Sequence, residues 1–394
     1  MFETIFIGTS GLMAHAKGLR VVGNNLANVN TPGFKSAQLQ FGELFDHGGA
    51  LSGQTGQGGA QLGTGVDALT ARLNFKAGAD QATGSPLDLQ INGNGFYVLQ
   101  REGETLYSRA GDLRFDDKGV LVNTNGDHVQ ALDAGGQLAD VTLDQFEHSL
   151  AKPTAEVKVR GNLPTPAIVA GAPLPAPTTI NAENIIDADG VAHTLKLTFQ
   201  QTATGVFTVT VNDGSTAVGS GSLKFALGSA VAGSNVVNVN YTPAGGTATA
   251  IKFDFSSASA LAGTGSLQAS ADGYLGGVRA DQSIKADGTL VVHYSNGQTV
   301  DGPRLALANF DTVQDLEQAG GSAFRKSATA VADYGNPASG SFGALVAGHR
   351  EGSNVDLAEE FSNLILMQRG YQASSHVIST ANDMIQQLFD MKGR

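Results

Sequence analysis

The sequence contains no cysteine, which excludes disulfides and thiolate metal sites outright. That absence does not identify a compartment, since a chain without cystine needs no oxidising surroundings. Charge is scarce too: 15% of residues are charged, against the usual quarter or so. The balance is acidic, with 24 basic and 36 acidic side chains and a net charge of −12, and no Lys/Arg cluster offsets it. Phosphate backbones and anionic membranes are bound by basic patches, so no nucleic-acid partner is expected. No apolar run approaches the ~20 residues of a membrane span, and no membrane insertion is expected. The N-terminus, MFETIFIGTSGLMAHAKGL, lacks the basic start and continuous apolar block of a cleaved secretory signal. These absences read as cytoplasmic unless export follows a route that cleaves no signal.

Catalytic constellations are missing as well. The sequence holds no G-x-S-x-G, H-E-x-x-H, Walker loop or G-x-G-x-x-G, so no enzyme, no cofactor and no metal site is expected. The eight histidines are scattered, and His15 and His376 read as interface or surface residues. Asp187 and Asp189 before Gly190 resemble a calcium loop only in part. The later acidic ligands are missing, so a polar turn is the better reading. Tyr371 falls in an apolar stripe and reads as packing.

Glycine, by contrast, is abundant at 52 residues, as suits a turn-rich β protein. The two ends differ from everything between them. Ile5, Leu12, Leu19 and Leu26 recur every seventh residue near the N-terminus, with Val22 and Val29 at the second seam position. Leu357, Leu364, Tyr371, Ile378 and Ile385 do the same near the C-terminus, flanked by Phe361, Met367, Ala381 and Leu388. A sevenfold apolar repeat lays one narrow stripe along a helix, as in a coiled coil. The spacing predicts helices over about 2–29 and 355–389. Ser353 and Asp356 fit a capping box, and Asp356, Glu359 and Glu360 suit the positive end of the helix dipole, as Lys392 and Arg394 suit the other end. Such helices commonly pack on a protein's own core. Here the stripe is narrow, and Gly8, Gly11, Gly18 and Gly23 weaken the first helix; both facts favour helices that need partners.

Between the helices the pattern is β. Residues 48–65 hold eight glycines and read as a loop or extended arm. Leu87, Leu89 and Ile91 alternate before an Asn92-Gly93-Asn94-Gly95 turn, then Phe96 and Val98 resume. Phe115 leads through Asp116-Asp117-Lys118-Gly119 to Val120 and Val122, another hairpin. Six of eleven prolines fall from Pro153 to Pro177 and mark entry to a further module. There Leu195/Leu197/Phe199, Phe207/Val209/Val211, Leu223/Phe225/Leu227 and Ile251/Phe253/Phe255 each form a period-two face, predicting a small antiparallel β domain. Leu290/Val292/Tyr294 and the Asn296-Gly297 turn follow.

The fold expected is mainly β with long α-helical termini: nested antiparallel β domains plus a terminal two-helix, coiled-coil-like domain. Its parts would be a helical domain (1–29 and 355–394), a glycine-rich connecting arm (30–70), a discontinuous β domain (71–145 and 274–354) and an inserted outer β domain (146–273). This nesting would bring the two ends of the chain together.

Several motifs resemble a known family. Asn24, Asn25 and Asn28, followed by Thr31, Gly33 and Phe34, are similar to the N-terminal signature of bacterial flagellar rod and hook proteins. Ser353, Asn354, Val355 and Asp356, followed by Gln368, Arg369 and Tyr371, resemble their C-terminal signature. Leu87-Asp88-Leu89, Asn94-Gly95-Phe96 and Ser108-Arg109-Ala110-Gly111-Asp112 resemble their central β region. Gly161-Asn162-Leu163, Asp272-Gly273-Tyr274 and Leu307-Ala308-Asn309-Phe310, with the Pro-bounded insertion, point to the hook branch. Asp127, Asp311-Thr312-Val313-Gln314 and Arg350 depart from the family pattern.

The resemblance implies a structural subunit of a curved, flexible tube acting as a universal joint between rod and filament. It would be exported unfolded by the flagellar type III export apparatus without a cleaved signal, to the extracellular hook and basal body. Its partners would be copies of itself, the distal rod, the hook cap and the hook–filament junction proteins. Subunit contacts are expected on Ile5, Leu12, Leu19, Leu26, Leu357, Leu364, Tyr371, Ile378 and Ile385. The alternatives are a distal rod or other hook–basal-body component and, from another class, a secreted β-rich enzyme or adhesin with helical tails.

Overall fold

The computed structural model describes residues 2–45, 63–133, 135–169 and 171–392. The chain is mainly β, with one long helix near each end: α1, Phe2–Ala27, and α2, Leu357–Lys392. It divides into two compact units. The first comprises Met1–Asp144, Gln282–Val291 and Asp301–Arg394, and the second Gln145–Asp281 with Val292–Val300. Of the glycine-rich arm, residues 46–62 lie outside the described residues, as does Arg394.

Both helices stop and start for local reasons. Past Ala27, the Asn28 side chain donates back to the Asn24 carbonyl at 2.9 Å, closing the last turn of α1. At the other end Asp356 is the N-cap: its Oδ1 accepts from the amides of Ala358 and Glu359 at 2.8 and 3.2 Å. The capping box expected to start at Ser353 is therefore displaced. Ser353 lies too far ahead of the helix and its hydroxyl accepts from Val355 N at 3.3 Å instead.

In the first unit, strands β1 (Ala37–Phe45) and β2 (Gly63–Leu73) form an antiparallel ladder against α1. Lys17 Nζ donates to the Ala68 carbonyl at 2.8 Å, and Ser10 Oγ accepts from Val66 N at 3.3 Å. The flanks of the arm are thus paired strands. Further along, Phe96–Arg101 pairs with Glu104–Ser108. The core here is aromatic, with Phe96, Tyr107, Phe310 and Phe324 buried together and Phe310 edge-on to Tyr107 at 4.8 Å. The strand expected from Leu87 begins at Leu89, because Leu87 belongs to the preceding turn. The Asp116 hairpin forms as expected: Asp116 Oδ1 accepts from the amides of Lys118 and Val120 at 3.0 and 2.8 Å.

The second unit is built on a nine-stranded sheet. Its alternating faces bury Leu195, Leu197, Phe199, Phe207, Val209, Val211, Leu223, Ile251, Phe253 and Phe255 in one cluster. Two details differ from the sequence pattern. Leu227 is fully exposed with φ 52°, since the strand ends at Ala226 and the chain turns. The sheet is also not wholly antiparallel: Glu156–Pro164 runs parallel to Thr249–Leu261. A parallel pair needs a long crossover, which the intervening strands supply. Asp187 sits in a polar turn, its Oδ1 accepting from Asp189 N and Val191 N at 3.0 and 2.8 Å and its Oδ2 lying 2.8 Å from His193 Nε2. Among the described residues no group of three or more His, Cys, Asp or Glu side chains could hold a metal.

Candidate assembly interface

The two helices meet along a seam of small residues. A Cβ placed on Gly8 would lie 2.7 Å from Ile378 Cγ1, one on Gly11 2.8 Å from Ser374 Oγ, and one on Gly18 2.6 Å from Met367 Sδ. From the other side, a Cβ on Gly370 would lie 2.4 Å from the His15 ring. The missing side chains let the two backbones approach closely. Three of the four glycines that weaken α1 in isolation, Gly8, Gly11 and Gly18, are ones on which α2 rests; Gly23 faces open space. Ser10, which faces β2, is buried on α1, and so are Gly8, Gly11, Ala14, Gly18, Val22 and Asn25. The last six are spaced by three and four, as on a coiled-coil face. Among the described side chains of α2 only Glu360 and Ala381 are buried.

The residues expected at subunit contacts follow from this. Ile5, Leu12, Leu19, Leu26, Leu364, Ile378 and Ile385 are half-buried, while Leu357 and Tyr371 are exposed. Ile378 is brought against Gly8. The seam within the chain uses the smaller neighbours of these residues, so much of the large apolar surface stays open. On α2, Phe361, Ile365, Leu366, Val377, Met384, Leu388, Phe389 and Met391 are exposed, and on α1 so are Phe6, Ile7 and Met13. Leu366, at 64% exposure, and Met13, at 67%, face solvent with most of their surface. So many large exposed apolar side chains on one helix pair suit an interaction site better than free solvent. His376 is also exposed, and His15 packs at 5.7 Å from the Phe41 ring.

Below the helices the two signature segments lock together. Gly33 N donates to the Glu351 carbonyl at 2.8 Å and Asn354 N to the Phe34 carbonyl at 3.3 Å. Asn354 Oδ1 accepts from Ser36 N at 2.7 Å, and its Nδ2 donates to the Asn74 carbonyl at 2.6 Å. Asn25 Nδ2 donates to Glu360 Oε1 and to the Ala37 carbonyl, both at 2.8 Å. Gly33 has φ 65°, and a Cβ there would lie 2.4 Å from Ala110 N, so no other residue fits. Phe34 and Asn25 are buried, Asn28, Thr31, Ser353, Asn354 and Val355 half-buried, and Asn24 and Asp356 exposed.

At the centre is a buried ionic knot. Lys35 Nζ reaches Glu351 Oε1 at 2.5 Å and donates to the Lys76 carbonyl at 2.7 Å. Arg109 Nε stands 3.7 Å from Glu351 Oε2, and Gly78 N donates to Oε1 at 3.0 Å. Burial pushes the Lys35 amine below its usual range, and Glu351 pulls it partly back. Charges out of water need pairing of this kind; Glu351 Oε1 has it in full, while Oε2 has no hydrogen bond and faces only the Arg109 guanidinium. Sequence reading found the signature but missed Glu351 and the small-residue seam. The seam's only signal was the spacing of Gly8, Gly11 and Gly18.

No helix among the described residues is long and apolar enough to cross a membrane. Comparison with known proteins finds three family matches. "Flagella basal body rod protein" matches residues 5–35, "Flagellar hook protein FlgE/F/G D1 domain" 90–164, and "Flagellar basal body rod FlgEFG protein C-terminal" 346–391. The chain is 30% identical to the flagellar hook protein FlgE of Escherichia coli, over 97% of this chain and 98% of that one. It is 29% identical to the FlgE of Salmonella typhimurium, over 97% and 98%. It is 24% identical to the flagellar basal-body rod protein FlgG of Bacillus subtilis, over the whole of both.

Proposed function

Because this chain belongs to the flagellar hook protein family and is a structural subunit of the bacterial flagellum's hook, we propose that it polymerises with copies of itself into a curved, flexible tube. The tube would act as a universal joint carrying torque from rod to filament. One observation supports this above the rest: α2 leaves a row of large apolar side chains uncovered, from Phe361 to Met391. A helix of this kind gains its stability by burying that face. Neighbouring copies of α1 and α2 supply the cover, with the half-buried Leu364, Ile378 and Ile385 contributing beside Leu357, Tyr371 and the other exposed residues.

In this reading the helices (1–29 and 355–394) form the inner tube. The arm (30–70) links them to a discontinuous β domain (71–145 and 274–354), and 146–273 forms the outer domain. The ends of the tube would meet the distal rod, the hook cap and the hook–filament junction proteins. The chain would reach its place through the type III export apparatus, without loss of a signal. A second reading, a distal rod component, draws on the match to the rod protein of B. subtilis. Electron microscopy of the purified, polymerised chain tests both. Curved, bendable tubes are expected; straight, stiff tubes favour the rod, and failure to form tubes removes the proposal.

A further inference from the structure

A cavity of about 260 Å³ lies between α1, β1 and the first turns of α2, bounded by Gly18, Val22, Leu39, Glu359, Glu360 and Met367. Glu360 is 6% exposed. Its Oε1 accepts from Asn25 Nδ2 at 2.8 Å, but its Oε2 is buried with no hydrogen-bond partner. A buried carboxylate oxygen without a donor is costly. No charge nearby relieves it: from α1 it faces Asn25, and from α2 the like charge of Glu359 and the neutral amide of Asn363. The β1 residues at the cavity, Gln38 among them, are uncharged, and neither the Asn363 nor the Gln38 amide bonds to Oε2. Burial, with Glu359, raises its carboxyl above the usual range.

The complementary group is on the same helix. Between Asp356 and Asp390 the sequence of α2 has one lysine or arginine, Arg369. It is exposed, and among the described residues its one hydrogen bond is a long one of 3.4 Å to Gln372 Oε1. It lies nine positions beyond Glu360, which at 3.6 residues per turn puts it about half a turn round, on the opposite face. Acceptor and donor on opposite faces cannot meet within one chain. Side by side, copies can pair head to tail without limit, as a growing polymer requires.

We propose that Arg369 of a second copy enters this cavity and pairs with Glu360 Oε2, so that each subunit completes its neighbour's helix seam. This rests on the assembly through α1 and α2 proposed above.

The test is a double-mutant cycle on the full chain, E360Q, R369Q and both together. It reads the critical concentration for polymerisation and the hydrogen exchange of the helix seam in the monomer. In the monomer E360Q removes an unpaired buried charge, so seam exchange slows. In the polymer it strands the incoming guanidinium, so the critical concentration rises, on the order of tenfold. R369Q raises it similarly without slowing seam exchange, and the double variant is no worse than either single one. A seam role confined to one chain would move monomer and polymer the same way. An unchanged or lowered critical concentration in E360Q, or single effects that multiply in the double variant, overturns the pairing. Normal polymerisation of Leu366→Asp would instead remove the assembly reading on which the pairing rests.

Discussion

Gly8 of α1 lies so close to Ile378 of α2 that a methyl group on it would stand 2.7 Å from Ile378 Cγ1. A larger side chain there must push the helices apart. Overpacking of this kind costs about 1–3 kcal/mol, more than the ~0.5 kcal/mol gained by replacing a helical glycine with valine. Gly8→Val is therefore expected to speed hydrogen exchange and proteolysis of both helices in the monomer. The second unit should be unaffected. Unchanged exchange in α2 would show that the seam tolerates separation at no cost.

Glu351 holds Lys35 in place from the opposite end of the chain. Glu351→Ala leaves a buried ammonium with only the Lys76 carbonyl, and such a loss costs about 3–5 kcal/mol. Calorimetry should show the first unit's transition falling while that of the second stays put. Lys35→Met should cost less, because Arg109 remains 3.7 Å from Glu351. Equal losses for the two variants would mean that Arg109 contributes nothing.

Glu360 makes the helix pair pH-sensitive. Its carboxyl is raised above the usual value by burial, which outweighs the opposing hydrogen bond from Asn25, and Glu359 adds to the rise. The folded seam then holds a proton that the unfolded chain has released, so seam stability grows as pH falls through the folded value. The gain levels off below the ordinary carboxyl range. Monomer seam exchange, corrected for its intrinsic pH dependence, should slow on acidification in the parent chain but much less in Glu360→Gln. Identical pH profiles would remove Glu360 as the cause.

How much of this was legible in the sequence follows from the range of each interaction. Alternation placed Leu195, Leu197 and Phe199 on one buried face because a strand's period is a local property. The heptads located both helices to within about three residues for the same reason. The close approach of Gly8 to Ile378 is a property of two surfaces, and a helical glycine read alone signals only lost propensity. Lys35 and Glu351 are 316 positions apart, so no periodicity joins them; only the signature motifs beside them hinted that these segments meet. The parallel pairing of Glu156–Pro164 with Thr249–Leu261 was hidden because alternation does not report strand direction.

The inserted segment carries its own core. Every buried member of the large aliphatic and aromatic cluster of the second unit, from Val157 to Ala260, lies inside 146–273. That segment expressed alone is expected to unfold cooperatively, and the chain without it to retain the Lys35–Glu351 knot and the helix pair. A segment that shows no cooperative transition would mean that 274–281 and 292–300, which belong to the same compact unit, are required for its fold.

The central claim is that the uncovered face of α2 holds the tube together. Ile378 is a poor probe, since it also packs on Gly8. Leu366 is the cleaner one: at 64% exposure it contributes little to the monomer, so an aspartate there should leave both units' melting transitions unchanged. In a polymer that buries this face, the same aspartate becomes an unpaired buried charge. The decisive measurement is polymer yield of Leu366→Asp by sedimentation and electron microscopy, beside its calorimetric trace. The account predicts an intact monomer that forms no tubes. Tubes at normal yield from an equally stable monomer would contradict it.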